Sequence, residues 1–301
     1  MVIGIDHGYG YVKTKASIFG ASVAKFDNQP PLLQRTVKYE GKYYTVGSIP
    51  EGLAGNKTLN DDYYILTLAG IAEELKARGN ITTANVTVAG GLPLTRFGAE
   101  KEDFENYLLR EKGKPIEFEY EGKKYSIRIE GSHIYPQGYA AIMPHLNTIK
   151  GPCIVVEIGT GTTEILFLDK DMIPDMKKAK TLQYGMTNCF SQVNEQINRV
   201  FSCELLPEQI IDMILGREVG TAPKAREICE NALKEFAMDT FNVLNQNKVN
   251  YMLTPTYVLG GGATLLKKYA SEQIEDTCMT LITDIKANAI GFEMLAANTK
   301  K

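Results

Sequence analysis

The same short acidic–glycine motif occurs twice in this sequence, each time directly after an apolar segment. The first copy, Asp-x-Gly-x-Gly, occupies residues 6–10, and the second, Glu-x-Gly-x-Gly, occupies residues 157–161. The acidic residue and both glycines of the second copy lie 151 positions after those of the first. Because 301 residues is about twice that spacing, the motif predicts a duplicated unit with one copy in each half.

Composition and charge are those of an ordinary folded protein. Hydrophobic residues make up 44% and charged residues 23% of the chain, which argues against disordered, collagen-like and coiled-coil proteins. The net charge of −3 disfavours a strongly basic nucleic-acid binder, so contact with DNA is expected only through a partner. Five scattered cysteines without a CxxC pair indicate reduced thiols rather than a zinc site. We recognise no signal peptide and no apolar run of membrane length, and therefore expect a cytoplasmic protein.

Hydrophobic periodicity predicts strands and helices in both halves, and hence an α/β or mixed α+β architecture. The predicted strands and hairpins lie at 2–18, 37–46 around Glu40-Gly41, 86–89, 116–129 around Glu121-Gly122, 153–158 and 257–259. The predicted helices lie at 65–75, 99–110, 138–146, 187–201, 207–215, 222–246, from about 263, and at 284–298. Their expected first residues or N-caps include Asp61, Thr187 or Asn188, and Asp284.

Both acidic–glycine turns have the chemistry of a phosphate-binding loop. Alternating glycines let the backbone adopt positive φ and approach a ligand, and successive N–H groups form an anion-binding nest. The acidic residue would hold the waters of a Mg²⁺ ion that neutralises the phosphate. Lys13 adds a positive charge to the first loop, and threonines 160, 162 and 163 add hydroxyl donors to the second. Two such loops facing each other would bind a polyphosphate from both sides.

Each motif also has an interpretation without a ligand. A single Asp-x-Gly-x-Gly turn is common in tight hairpins, and only its paired occurrence favours phosphate binding. A third glycine turn, at residues 260–262, ends a predicted strand and begins a helix. That geometry suits either a phosphate or base lying on bare backbone or a helix packed closely on a strand.

Together these motifs resemble the actin, Hsp70 and sugar-kinase superfamily of ATPases. The likeness is greatest to bacterial actins of plasmid segregation, the ParM or StbA type, and it is specific at four places. These are residues 3–6 with Gly10 and Lys13, residues 91–94, Pro136-Gln137, and residues 259–263. The resemblance implies an actin-like α/β fold of two related ribonuclease-H-like domains with a nucleotide cleft between them.

The resemblance also implies domain boundaries. Residues 1–150 would form domain I, with a small insertion at about 28–80. Residues 151–283 would form domain II, with a helical subdomain at about 187–246. Residues 284–301 would form a C-terminal helix that returns to domain I.

Site residues follow from the same resemblance. Asp6, Glu157 and Gln137 are the expected catalytic residues, and Asp6 and Glu157 would also hold Mg²⁺ through water. The expected nucleotide contacts are Gly8, Tyr9, Gly10, Lys13, Gly159, Thr160, Gly161, Thr162, Gly185, Lys224, Gly261 and Gly262. For Lys224 a solvated helix face is the alternative interpretation.

Two positions depart from the family pattern. Position 157 is Glu where the family usually has Asp, so its carboxylate reaches one methylene further. Position 137 is Gln, as in actins proper, where ParM-like proteins tend to carry Glu. Because a neutral amide cannot act as a general base, Gln137 would only orient the attacking water, and we expect slow hydrolysis.

The implied function is that of a cytoplasmic filament. Such a protein polymerises with itself in the presence of ATP or GTP and Mg²⁺, hydrolyses the nucleotide, and segregates plasmid DNA through a separate DNA-binding adaptor. The alternative is a small-molecule kinase, for a sugar or an acid, because the same superfold hosts both functions. A kinase needs a carboxylate base beside the acceptor hydroxyl, and the amide at position 137 favours the filament.

Overall fold

The computed structural model of the chain describes residues 1–50, 57–149 and 151–299. The chain divides into two compact units. Met1–Asn147 and the segment from Lys286 onward form the first unit, and Thr148–Ile285 forms the second. The predicted insertion at about 28–80 includes residues 51–56, which lie outside the described part of the chain.

The first unit combines strands from its whole length with helices from both ends of the chain. Its strands are β1 (Val2–His7), β2 (Tyr11–Thr14), β3 (Ile18–Phe26), β4 (Thr36–Tyr39), β5 (Lys42–Gly47), β6 (Thr83–Leu92), β7 (Ile116–Tyr120) and β8 (Lys123–Pro136). Its helices are α1 (Asp62–Ala77), α2 (Leu94–Leu108), a 3-10 helix (Ala140–His145) and the last helix of the chain, α8 (Ala287–Asn298).

The eight strands hydrogen-bond in a closed ring, in the order β1-β2-β3-β5-β4-β7-β8-β6. Helix α1 packs against β1 to β5 and is buried on almost every side. Its sequence explains this position, because apolar side chains occupy all faces of the helix rather than one stripe. The core of the first unit is therefore built around α1.

The two predicted hairpins of this unit are confirmed. β4 pairs with β5 and β7 pairs with β8, each antiparallel across a two-residue Glu-Gly turn. Both residues of each turn have positive φ, at 49° and 76° in the first turn and 53° and 79° in the second. This is the type I′ geometry that matches the twist of paired strands.

Two strand predictions in the first half were inaccurate. The single strand expected after the first glycine turn is broken into β2 and β3, because the Thr14 hydroxyl accepts the N–H groups of Ala16 and Ser17 and turns the chain. The strand expected at 86–89 is longer and spans Thr83–Leu92, because it pairs with both β1 and β8.

The second unit is a five-stranded sheet covered by helices. Its strands are β9 (Cys153–Ile158), β10 (Thr163–Leu168), β11 (Lys180–Leu182), β12 (Thr256–Gly260) and β13 (Met279–Ile282), in the order β11-β10-β9-β12-β13. Its helices are α3 (Met186–Phe201), α4 (Pro207–Ile214), α5 (Pro223–Gln246), α6 (Gly261–Tyr269) and α7 (Ser271–Glu275). The central strand β9 is parallel to β12 and antiparallel to β10, and its first four residues are all buried, as its continuous apolar sequence predicts.

Several helix starts differ from those predicted. Helix α2 begins at Leu94 rather than near residue 99, directly after Pro93. Asp61 does occupy the N-cap of α1, but its carboxylate pairs with Arg110 at 2.5 Å instead of capping the helix. The N-cap of α3 is Gly185, and the last helix begins after Lys286 rather than at Asp284. A residue type that often caps helices therefore does not predict a capping hydrogen bond when its side chain forms an ion pair elsewhere.

Close packing of α8 places strict limits on side-chain size. A Cβ atom added to Gly291 of α8 would lie 1.9 Å from the carbonyl oxygen of Ala140. By contrast, a Cβ atom added to Gly98 of α2 would have no other atom within 4 Å. Gly291 is thus required by the contact of α8 with the 3-10 helix.

Two matched helix substitutions should have opposite effects on stability. We expect Gly291→Ala to lower the free energy of unfolding by about 1–3 kcal/mol, because a backbone carbonyl cannot move aside easily. Gly98→Ala should raise it by about 0.5–1 kcal/mol, since alanine favours helix and meets nothing there. Urea unfolding followed by circular dichroism measures both, and equal stability of the two variants would contradict the packing described.

Candidate functional site

The first acidic–glycine turn lies where three parallel strands of the first unit end. β1 is parallel to β6, and β6 is parallel to β8, so their carboxyl ends lie at one edge. Asp6 is the second-last residue of β1, and Gln137 directly follows β8. Because parallel strands bring their carboxyl ends together, two residues 131 positions apart in sequence meet at this edge.

Asp6 is the centre of a cluster of three side chains. The residue is 1% exposed; its Oδ2 accepts a hydrogen bond from Lys13 Nζ and its Oδ1 accepts one from Gln137 Nε2, each at 2.9 Å. Lys13 lies directly opposite Asp6 in the β1–β2 hairpin, so strand register sets this ion pair. The main-chain N–H of Gln137 donates to the carbonyl of Leu92 and fixes the residue beside β6.

The surroundings of Asp6 keep its carboxylate charged. Burial alone would raise the pKa of Asp6, but the adjacent Lys13 ammonium, with help from Lys57 and the Gln137 amide, holds it below its usual value. An ionised carboxylate can hold the water shell of a cation. Since the amide nitrogen of Gln137 donates to Asp6, its amide oxygen is left to accept a hydrogen bond from a water molecule.

The role predicted for the alternating glycines needs one correction. Neither Gly8 nor Gly159 adopts positive φ. Gly8 is required for space, because a Cβ atom there would lie 2.7 Å from the carbonyl oxygen of Tyr11. At Gly159 the corresponding distance, to the carbonyl oxygen of Thr162, is 3.3 Å. Tight turns, rather than left-handed backbone, explain these glycines.

The two aromatic neighbours of the first turn point in different directions. Tyr9, between the two glycines, forms a hydrogen bond with Arg96 of α2 through its hydroxyl. His7 is completely buried, and its Nε2 bonds to the hydroxyl of Thr67 at 2.8 Å. Burial, with a smaller effect of the Lys57 charge, lowers the pKa of His7 to about 3. His7 is therefore a neutral core residue at physiological pH.

One charged residue near this turn escaped the sequence analysis. Lys57 is 3% exposed, and its ammonium lies over the rings of Tyr9, Tyr63 and Phe104. No signal in the sequence could have found it, because the three rings come from three separate elements.

The second acidic–glycine turn connects β9 and β10 in the second unit. Glu157 pairs with Glu164 across these strands, in the register that Asp6 and Lys13 have in the first hairpin. The turn is closed by a 2.8 Å hydrogen bond from the N–H of Gly159 to the carbonyl of Thr162. Thr160 and Gly161 form the tip between them. The two hairpins thus share a backbone pattern but differ in charge.

Gly185 joins helix α3 to this second turn. The next two N–H groups, those of Met186 and Thr187, donate to the carbonyls of Gly159 and Thr160 at 3.0 and 2.8 Å. A Cβ atom on Gly185 would lie 2.8 Å from both carbonyl oxygens. The structure therefore places Gly185 against the predicted phosphate loop, and its missing side chain is what allows that contact.

The third glycine turn lies at the same edge of the second sheet. β12 runs parallel to β9, so Gly260 is paired with Ile158, the last residue before the second turn. Gly260 has φ of 84°, and a Cβ atom on Gly262 would lie 2.4 Å from the Cβ of Ile158. A Cβ atom on Gly261 would approach the Met186 side chain at 3.1 Å. Close packing of helix on strand accounts for Gly262, while Gly261 remains a predicted nucleotide contact.

Lys224 is the predicted nucleotide contact with least structural support. It lies exposed in the first turn of α5. In the described part of the chain, no hydrogen bond or ion pair joins its side chain to the glycine turns. Its expected role stays a prediction.

The oxygen chemistry of the acidic residues fits a magnesium ion held through water. Mg²⁺ prefers oxygen ligands and usually keeps several of its waters. Within residues 1–50, 57–149 and 151–299, no group of three or more His, Cys, Asp or Glu side chains could bind a metal directly. Both oxygens of Asp6 already accept hydrogen bonds from Lys13 and Gln137. Asp6 and Glu157 as holders of a hydrated Mg²⁺ remain predictions.

None of the helices in the described part of the chain combines the length and hydrophobicity needed to cross a bilayer.

Two family matches divide the chain between them. Residues 4–139 match the family described as actin like proteins, N terminal domain. Residues 155–272 match the family described as archaeal actin homologue MreB-like, C-terminal. Each half of the chain therefore matches an actin-like domain family. No curated protein sequence matches it.

Solved structures agree with this assignment. Ta0583, an archaeal actin homolog, superposes with a TM-score of 0.76 at 20% identity and 99% coverage of both chains, and it has also been solved in complex with ADP. The apo pSK41 ParM protein superposes with a TM-score of 0.70 at 18% identity, covering 99% of this chain and 97% of that one. A 15-stranded ParM filament from Clostridium botulinum gives 0.72 at 19% identity and 99% coverage of both. The actin-like fold expected from the motifs is confirmed.

Removal of the Lys13 charge should destabilise the protein in a pH-dependent way. Lys13→Met leaves a buried, unpaired carboxylate at Asp6, and we expect a loss of about 3 kcal/mol at pH 7. In the wild type the pKa of Asp6 is lowered, so the pair contributes stability above the ordinary Asp pKa and loses it as pH falls. In the variant the carboxyl group should instead be protonated at mild acidity. The difference in stability should therefore shrink between pH 7 and pH 4.

Lys15→Met is the matched control, because Lys15 is an exposed lysine at the end of the same hairpin. Urea unfolding of the wild type and both variants at the two pH values measures the effect. A Lys13→Met loss as small as that of Lys15→Met would show that the ion pair contributes nothing.

Proposed function

We propose that this chain is an actin-like ATPase that polymerises with ATP or GTP into cytoplasmic filaments and segregates plasmid DNA through a DNA-binding adaptor. The observation that carries the proposal is the 2.9 Å hydrogen bond from Gln137 to Asp6. It joins the residue expected to position water to the acidic residue of the first predicted phosphate hairpin. ADP binding by the archaeal actin homolog and the filament formed by a ParM protein support the nucleotide and the polymer.

In this proposal both hairpins bind nucleotide phosphate. Gly8, Tyr9 and Gly10 contribute backbone N–H groups in the first unit, and residues 160–162 do so in the second, because the N–H of Gly159 closes its own turn. Lys13 carries the charge needed for a β- or γ-phosphate, although its ammonium is bound to Asp6 in this structure. Phosphate and the Asp6 carboxylate would therefore share Lys13, which would leave Asp6 more exposed to a hydrated cation.

Hydrolysis in this site would depend on positioning rather than on proton abstraction. The neutral amide of Gln137 accepts no proton, so its contribution is to orient water for attack in line with the leaving phosphate. Asp6 fixes the amide through the hydrogen bond, and Mg²⁺, when bound, neutralises the developing phosphate charge. The expected consequence is slow turnover, which suits a filament whose lifetime is set by hydrolysis.

Assembly is expected to accelerate that slow step. We infer that subunit contacts bring Gln137 toward the γ-phosphate and so couple hydrolysis to polymerisation. The net charge of −3 fits a protein that moves DNA without touching it, because a basic surface would be needed to bind phosphate backbones directly. The adaptor would supply that contact.

Nucleotide-dependent assembly is the direct test of the proposal. Purified protein at tens of micromolar with Mg²⁺ and ATP, or GTP, should scatter light, pellet on ultracentrifugation and form filaments in electron micrographs. Absence of polymer together with phosphate transfer to a sugar or an acid would contradict the filament proposal and support the kinase alternative.

Two substitutions should separate nucleotide binding from hydrolysis. Asp6→Ala should abolish assembly, because it removes the partner of both Lys13 and Gln137. Gln137→Ala should still assemble but should release phosphate about tenfold more slowly than the wild type. Its filaments should therefore last longer after ATP addition than wild-type filaments do. Gln34→Ala is a control, since Gln34 is exposed. Filaments of Gln137→Ala that disassemble at the wild-type rate would rule out the role assigned to Gln137.

Coupling between assembly and hydrolysis predicts a concentration dependence. Phosphate release per subunit should be low where no polymer forms and should rise steeply once light scattering appears. Measuring both signals across a hundredfold range of protein concentration tests this. Turnover per subunit that stays constant over that range would exclude the coupling while leaving nucleotide binding intact.

A further inference from the structure

Lys57 is a buried cation whose position the family motifs do not explain. Its side chain is almost fully removed from solvent, and its Nζ donates to the carbonyl of Gly91 at a long 3.4 Å. The same Nζ lies 5.9, 5.7 and 5.6 Å from the ring centres of Tyr9, Tyr63 and Phe104. Three aromatic faces around one ammonium form a cation–π cage. Burial of a charged ammonium costs desolvation free energy, which the aromatic rings and the Gly91 carbonyl offset only in part.

The cage includes the residue at the tip of the first hairpin. Tyr9 stands between Gly8 and Gly10, which are the expected phosphate contacts. Its ring faces Lys57, and its hydroxyl forms a hydrogen bond with Arg96 of α2. Tyr9 is therefore held at both ends of its side chain. Because backbone N–H groups bind phosphate only when their directions are fixed, a clamped Tyr9 keeps this turn in one conformation.

The charges around the hairpin make the Lys57 ammonium significant. Asp6 and Lys13 form an ion pair, so between them they contribute no net charge to the turn. Lys57 interacts with Asp6 strongly enough to help keep the pKa of that carboxyl group low. With Lys57 protonated, the group of three residues carries one positive charge in a poorly solvated site, where electrostatic attraction to an anion is stronger than in water.

We infer that Lys57 is a positioning residue of the first phosphate hairpin: its buried ammonium clamps Tyr9 from behind and supplies the positive charge that the Asp6–Lys13 pair lacks. The inference rests on the proposed function, because it assumes that this hairpin binds nucleotide. Lys57 itself touches no nucleotide, since it is buried beneath the turn. Its effect is on the conformation and the electrostatic potential of the loop.

Titration of Lys57 provides a signature that a purely structural lysine would lack. Burial, with a smaller effect of Arg96 and Lys13 against the opposing Asp6 and Glu100, lowers the pKa of Lys57 to about 8. Of its other neighbours, His7 has a pKa of about 3, and burial raises the pKa of Tyr63 well above its usual value. Lys57 is thus the caged group expected to change charge between pH 7 and pH 9.5.

The two consequences of this titration have opposite signs. Since the pKa of Lys57 is lower in the folded protein than in the unfolded chain, stability of the wild type relative to Lys57→Met should rise from pH 8 toward pH 10. Binding of a phosphate should favour the protonated lysine, so nucleotide affinity should fall over the same range. By linkage, a rise of one pKa unit on binding corresponds to about a tenfold change in affinity.

The experiment is calorimetric titration of ATP with Mg²⁺ at pH 7, 8 and 9.5, with protein below the concentration that scatters light. We expect wild-type affinity to fall about tenfold over this range. Lys57→Met, which keeps volume but not charge, should bind about tenfold more weakly at pH 7 and show little pH dependence. Lys57→Arg should bind as the wild type does at pH 7 and keep that affinity at pH 9.5. Lys25→Met, at an exposed lysine of β3, is the control and should follow the wild type.

The outcomes distinguish the inference from the function on which it rests. Wild-type protein that binds no ATP at any pH overturns both. ATP binding with the same affinity and the same pH profile in wild type and Lys57→Met overturns the role of Lys57 alone. If Lys57→Met does not fold, the comparison of wild type with Lys57→Arg decides, because only the wild type should lose affinity at high pH.

Discussion

The buried carboxylate of Asp6 is the constraint on which the first unit's candidate site depends. A carboxylate with almost no solvent contact is tolerated only when other groups replace its water. The antiparallel register of β1 and β2 provides Lys13, and the parallel arrangement of β1, β6 and β8 provides Gln137. The sheet therefore gives the Asp6 carboxylate two hydrogen-bond donors, one from the adjacent strand of its own hairpin and one from a distant part of the chain.

The two acidic–glycine hairpins share a backbone register but differ in charge. The backbone register is the same, with Asp6 opposite Lys13 and Glu157 opposite Glu164. In the second hairpin two carboxylates face each other, an arrangement that is unfavourable between paired strands. The Thr181 hydroxyl of β11 donates to Glu164 at 2.8 Å and partly offsets this. The second loop is also held by α3, because N–H groups at the start of that helix donate hydrogen bonds to the carbonyls of residues 159 and 160.

How much of this could be predicted from the sequence depended on the range of the interactions. The type I′ hairpins at Glu40-Gly41 and Glu121-Gly122 were predictable because turn chemistry is local. The family resemblance identified Asp6 and Gln137 as expected catalytic residues, but it did not predict the hydrogen bond between them, since no spacing rule relates residues in different strands. Asp61 was misjudged as a capping side chain because its partner, Arg110, is remote in sequence. Lys57 was missed for the same reason, as its cage is formed by tertiary packing.

The position of α8 has a consequence for the order in which the chain is made. This helix follows the whole second unit in sequence, yet it packs on β1, where Arg78 bonds both to the Val2 carbonyl and to Glu293 of α8. The second unit, Thr148–Ile285, is continuous in sequence and can fold as soon as it leaves the ribosome. The first unit begins synthesis earlier but must leave one face of β1 uncovered until α8 emerges. On the ribosome, the part of the protein translated first is therefore the part completed last.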